Sequence, residues 1–175
     1  MNWYRFALVT GILLSLQTTL AGRIAVFGAV PILTIGLVAY VALWARPLEA
    51  LLAAWIIGMG VDVLSVERLG VTAITHTVAA LPVLGLRDYF FARSSATHFV
   101  MSLLAVVTQQ VLAVLYASMV YPAAFSYTWA LRGVVVSSVY SALLAVGIIG
   151  LLDRVGPSVV TRVARAGGAG RPVPG

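Results

Sequence analysis

Five acids, two histidines and no cysteine are what the chain offers for acid–base, metal or thiol chemistry. One acid stands apart. Asp62 lies well inside an apolar run, in GMGVDVLSVERLGVTA over Gly58–Ala73. A carboxylate at that depth is costly in lipid, so it must face protein, water or a partner. Ala54, Gly58 and Asp62 recur at i, i+4 and i+8 and share one helix face. Ser65 follows near the helix end. Glu67-Arg68 supplies charge to the turn, and Leu69-Gly70 opens the next apolar run. Two roles suit such a motif. Asp62 either fixes how two helices and a tight turn pack, or it forms a binding or partner-contact site. His76 is six residues past Gly70, and Asp62 is eight before it, so the two sit at similar depths in a hairpin. His76 then either meets Asp62 or bonds the nearby Thr72, Thr75 and Thr77 or the backbone. Gln109-Gln110 is a polar patch of its own: one amide suits a bond across helices and the other a cavity lining. Asp62, His76 and Gln109 are thus a candidate polar cavity.

Other chemistry has no residues to carry it. Two histidines, at 76 and 98, make no conventional metal site without acids from other segments. There is no Ser-His-Asp set of recognisable spacing, no phosphate-binding G-x-x-x-x-G-K-[ST] loop and no H-E-x-x-H helix. No pair of embedded acids offers a proton relay. The expectation is a protein that is not an enzyme and carries no cofactor or metal.

The elements that must position these residues follow from composition. Of 175 residues, 62% are hydrophobic and 9% charged, with a mean hydropathy of +1.06. Soluble domains carry about 25% charged residues. So few charges cannot cover a water-exposed surface, so the solvent is lipid. A crossing takes about 20 apolar residues, which gives an all-α polytopic membrane domain over residues 1–153. Its six expected spans are 4–20, 24–44, 48–64, 70–86, 97–121 and 129–152. Pro31 kinks the second or marks its start. Pro82 interrupts the fourth. Residues 154–175 form a basic tail, partly disordered. Small residues at i+4 spacing make close-packing faces on the first span (Ala7, Gly11, Ser15) and the sixth (Gly133, Ser137, Ser141, Ala145). Such faces serve self-packing or a partner helix.

The net charge is +6, and every cation is arginine. The arginines are scattered between spans, which argues against nucleic acid as a partner. With both termini cytoplasmic, eight arginines lie inside and three outside, as basic loops require. The central turn then faces outward.

The pattern G-x-x-x-D-x-x-S-x-x-x-L-G-V-x-A, on Gly58, Asp62, Ser65, Leu69, Gly70, Val71 and Ala73, resembles the rod shape-determining MreD family. The match covers about sixteen residues, with the six-span plan and Gln109-Gln110 compatible. Arg68 stands where that family often has Pro. The resemblance implies a bacterial inner-membrane protein of the cell-elongation machinery. Its partners would be MreC and, directly or indirectly, RodA, PBP2 and MreB, with membrane lipids around it. Its role would be to keep rod cell shape and organise peptidoglycan synthesis. The chain also looks like the S-components of energy-coupling-factor transporters. Those are six-span bundles that bind small ligands near the outer face, which implies a ligand- or lipid-binding module instead.

Overall fold

The computed structural model describes residues 1–20, 22–25, 30–65, 68–89, 94–122 and 127–155. Among them lie six helices: α1 (Trp3–Leu20), α2 (Thr34–Trp44), α3 (Pro47–Leu64), α4 (Val71–Leu86), α5 (Ser95–Val120) and α6 (Tyr127–Val155). The fold is all-helical. α3, α5 and residues 130–154 of α6 are long and apolar enough to cross a membrane. Five of the helices end within three residues of the expected apolar segments. Pro47 at the first position of α3 costs nothing, since its missing N–H would have no partner there. Pro82 lies inside α4 without ending it, so it does not interrupt the helix as its ring suggests.

α2 is the axis of the fold. It touches all five other helices. Every residue from Thr34 to Leu43 is buried. Its sequence, TIGLVAYVALW, has no polar face, as a helix surrounded on all sides requires. The others follow around it in the order α1, α3, α4, α5, α6, each touching the next. Among the described residues α1 and α6 do not touch, so the ring is open there. Helices in lipid gain little from hydrophobicity against one another and depend on close packing. Gly36 supplies this between α2 and α6: a Cβ there would lie 3.2 Å from Ala145 Cα.

The expected second span, 24–44, is corrected by the structure. Only residues 34–44 of it are α2, and 26–29 fall outside the described residues. Eleven residues rise about 16 Å, roughly half a bilayer core. Pro31 donates no N–H, and the backbone before α2 is irregular. Irregular backbone enclosed by helices must find its hydrogen-bond partners within the protein. Here two helices supply them. Gln17 of α1 donates from Nε2 to the Pro31 carbonyl at 3.0 Å and accepts from the Leu33 N–H at 2.6 Å. Ser141 of α6 accepts from the Ile32 N–H at 2.9 Å, and Ser137 Oγ donates to the Val30 carbonyl at 3.1 Å. Residues 30–33 thereby join the two flanks of the open ring. At the other end of α2, Arg87 donates to the Ala42 and Ala45 carbonyls at 3.0 and 2.6 Å. These are terminal carbonyls with no partner further along the helix.

Gln17→Leu should leave the Leu33 N–H and the Pro31 carbonyl unpaired. A loss of about 2 kcal/mol is expected at minimum, since one such group costs about 1–3 kcal/mol. Thermal unfolding in detergent, followed by size-exclusion chromatography, checks it. Gln17→Glu keeps the acceptor for Leu33 but turns a carboxylate oxygen toward the Pro31 carbonyl, so it should not recover the loss.

Candidate functional site

Asp62 sits in the last turn of α3 and is 1% exposed. It faces the start of α4. Gly70, which precedes that helix, has φ +94°, a conformation that disfavours side chains. With no side chain of its own, Gly70 cannot cap the N–H groups of the first turn. Asp62 caps them from the neighbouring helix. Its Oδ2 accepts from the Gly70 N–H at 2.9 Å and the Ala73 N–H at 3.1 Å, and its Oδ1 accepts from the Thr72 N–H at 3.0 Å. The Val71 N–H points to the Arg68 carbonyl at 3.5 Å, and the Ile74 N–H begins the helix ladder on Gly70 at 3.0 Å. Every N–H from Gly70 to Ile74 therefore has an acceptor. The negative charge also lies at the positive end of the α4 dipole.

The carboxylate reaches α4 because α3 approaches it closely. A Cβ on Gly58 would collide with Ala73 Cα, and would lie 2.6 Å from the Thr72 oxygen and 2.7 Å from the Ala73 nitrogen. All three are backbone atoms, so no side chain can move aside. Gly58, one turn before Asp62, sets the distance at which Asp62 bonds. Ser65 ends α3: its N–H and its hydroxyl both reach the Asp62 carbonyl, at 3.3 and 3.2 Å. Leu69 is exposed. Glu67 lies outside the described residues.

The candidate cavity of Asp62, His76 and Gln109 does not form. His76 is buried but does not bond Asp62. Its Nδ1 lies 3.0 Å from the Thr72 carbonyl and its Nε2 lies 3.2 Å from Thr34 Oγ1. A carbonyl only accepts, so in the neutral ring Nδ1 donates to Thr72 and Nε2 accepts from the Thr34 hydroxyl. His76 thus ties α4 to the start of α2. Gln110 donates from Nε2 to Ser137 Oγ at 3.0 Å, across to α6. Gln109 instead lines a cavity of about 470 Å³ between α4 and α5. Of the three candidate residues it alone borders that space, beside Arg68, Thr72, Thr75, Tyr116 and Tyr121. The sequence shows Arg68 only as a charge in the turn, and no spacing links it to Tyr116 and Tyr121, because the three meet only in the fold.

The two small-residue faces part company. On α6, Ser137, Ser141 and Ala145 are buried and Gly133 is half-buried. Ala145 lies against Gly36 of α2 and the two serines against residues 30–32. From Ser137 to Ala145 this face is filled from within the chain, whereas a Cβ on Gly133 would meet nothing within 4 Å. On α1, Ala7, Gly11 and Ser15 are exposed, and a Cβ on Gly11 would meet nothing within 4 Å. The Ser15 hydroxyl returns to the Gly11 carbonyl at 2.9 Å. No group of three or more metal-ligating side chains occurs among the described residues. No family model, no curated protein and no solved structure matches the chain.

Asp62→Asn keeps the shape but turns an NH₂ toward N–H donors, and Asp62→Ala removes every acceptor. Both should destabilise the α3–α4 pair, Ala by about 3 kcal/mol or more from three unpaired N–H groups. Gly58→Ala should match that loss with the carboxylate intact. Unfolding in graded denaturant, read by tryptophan fluorescence, checks all three variants.

Proposed function

We propose that the chain is a multi-pass protein of the bacterial inner membrane, crossing six times with both termini cytoplasmic. In this reading it acts as a non-enzymatic scaffold of the cell-elongation machinery, of the MreD kind. It packs against MreC and so helps hold RodA, PBP2 and MreB together. One observation carries the reading. The residues of the MreD-like pattern are the residues that build the α3–α4 lock: Gly58 for approach, Asp62 for capping, Gly70 for the turn. A carboxylate engaged by three backbone N–H groups serves shape rather than chemistry. The exposed Ala7–Gly11–Ser15 face of α1 supplies the place where a partner helix approaches closely. The S-component alternative loses Asp62 and His76 as ligand contacts, since both are bonded inside the protein.

Purification of the tagged chain from its native membrane in mild detergent, with mass spectrometry of what co-elutes, tests the scaffold. MreC should co-elute, with or without RodA and PBP2. Gly11→Leu should reduce MreC recovery at least several-fold while the melting temperature stays unchanged, because a Cβ at Gly11 meets nothing within 4 Å. Recovery of an ATPase-linked coupling subunit without MreC would contradict the reading. Orientation has its own test. The chain has no cysteine, so Leu69→Cys gives a single, exposed thiol. It should react with an impermeant maleimide added outside intact spheroplasts, and protection until lysis would reverse the topology.

A further inference from the structure

The cavity between α4 and α5 holds features that the scaffold role does not use. Gln109 is 8% exposed and lines it, and Gln109 Oε1 is buried with no hydrogen-bond partner. Tyr116 lines it too, and its hydroxyl is also buried without a partner. The two are seven residues apart and share one face of α5. Buried polar atoms are paired in nearly all folded proteins; the hydroxyls of Thr10, Ser102 and Ser138 are also unpaired, but only Gln109 and Tyr116 combine this with a place in the cavity lining. Arg68 adds a positive charge to the same lining and is exposed, at the end of the space nearest the turn before α4. A volume of about 470 Å³ falls within the range of small-ligand sites.

We infer that this cavity is a binding site for a small anionic group that also carries hydroxyl donors, of the size of a phosphoglycerol headgroup. Arg68 pairs with the anion as a charge-assisted hydrogen bond donor. The ligand's hydroxyls donate to Gln109 Oε1 and exchange a bond with the Tyr116 hydroxyl. Thr72 and Thr75 line the opposite wall on α4. Asp62 does not compete for the anion site: its carboxylate is 1% exposed and bonded to the α4 backbone. The chemistry fits a membrane lipid headgroup or the same group free in water. The site is independent of the scaffold reading and stands or falls without MreC.

The test is native mass spectrometry of the full chain, delipidated in detergent and titrated separately with phosphatidylglycerol, glycerol 3-phosphate and phosphatidylcholine. Phosphatidylglycerol or glycerol 3-phosphate should bind at least tenfold more tightly than phosphatidylcholine, which has no hydroxyl donor and no net charge. Preference for the phospholipid over glycerol 3-phosphate identifies a lipid site with the acyl chains outside the cavity. The reverse identifies a soluble ligand. Arg68→Gln and Gln109→Leu should each weaken binding about tenfold, the loss of one such contact. Arg68 is exposed, so its variant keeps the fold, and an unchanged melting temperature confirms that for both. Equal binding of all three titrants, or wild-type binding by both variants, overturns the inference.

Discussion

One carboxylate, buried in the last turn of α3, determines how the central hairpin is built. A helix start leaves its first N–H groups without partners along the helix, so acceptors must come from elsewhere. α4 begins on a glycine with positive φ, which cannot cap. Asp62 resolves both problems together. The carboxylate is satisfied by three N–H groups, and those N–H groups are satisfied by the carboxylate. Neither half is tolerable alone. That mutual dependence fixes the register between α3 and α4, which among the described residues pack extensively against one another.

The same logic recurs around α2. This helix is short and apolar on every side, and its ends lie among other helices. Its leading backbone is held by Gln17, Ser137 and Ser141, and its trailing carbonyls by Arg87. His76 adds a tie from α4 to Thr34 at its first turn. Asp62, Gln17, Ser137, Ser141 and Arg87 thus complete backbone that helix geometry leaves open. Gln109 Oε1 and the Tyr116 hydroxyl are a contrast: like the hydroxyls of Thr10, Ser102 and Ser138 they are buried without a hydrogen-bond partner, and these two residues also border a cavity.

Apolar runs of helix length made α1, α3, α4, α5 and α6 legible in the sequence, and the isolated acid pointed to the motif. The types of Gln109 and Gln110 were legible as well: one crosses to another helix and the other borders a cavity. What was hidden had a common cause. The partners of Asp62 are backbone N–H groups, which every residue has and no sequence pattern reports. The late start of α2 depends on Gln17 and Ser141, which are far from Pro31 in one direction or on another helix entirely. The faces of α1 and α6 have the same i+4 pattern and opposite surroundings. Small residues permit a close approach, but the pattern does not say whether the chain itself makes it. The cavity beside Gln109 brings together residues from a turn and two helices, with no local spacing to announce it.

The most direct measurement of the Asp62 cap is a through-hydrogen-bond NMR coupling experiment on the perdeuterated chain in detergent. It reads scalar coupling between backbone amide nitrogens and the side-chain carboxyl carbon of Asp62. Coupling to the amides of Gly70, Thr72 and Ala73, with slow exchange of those three protons, is the expected result. Absent couplings together with rapid exchange with water would mean that Asp62 does not cap α4, and the structural account of the motif would fail.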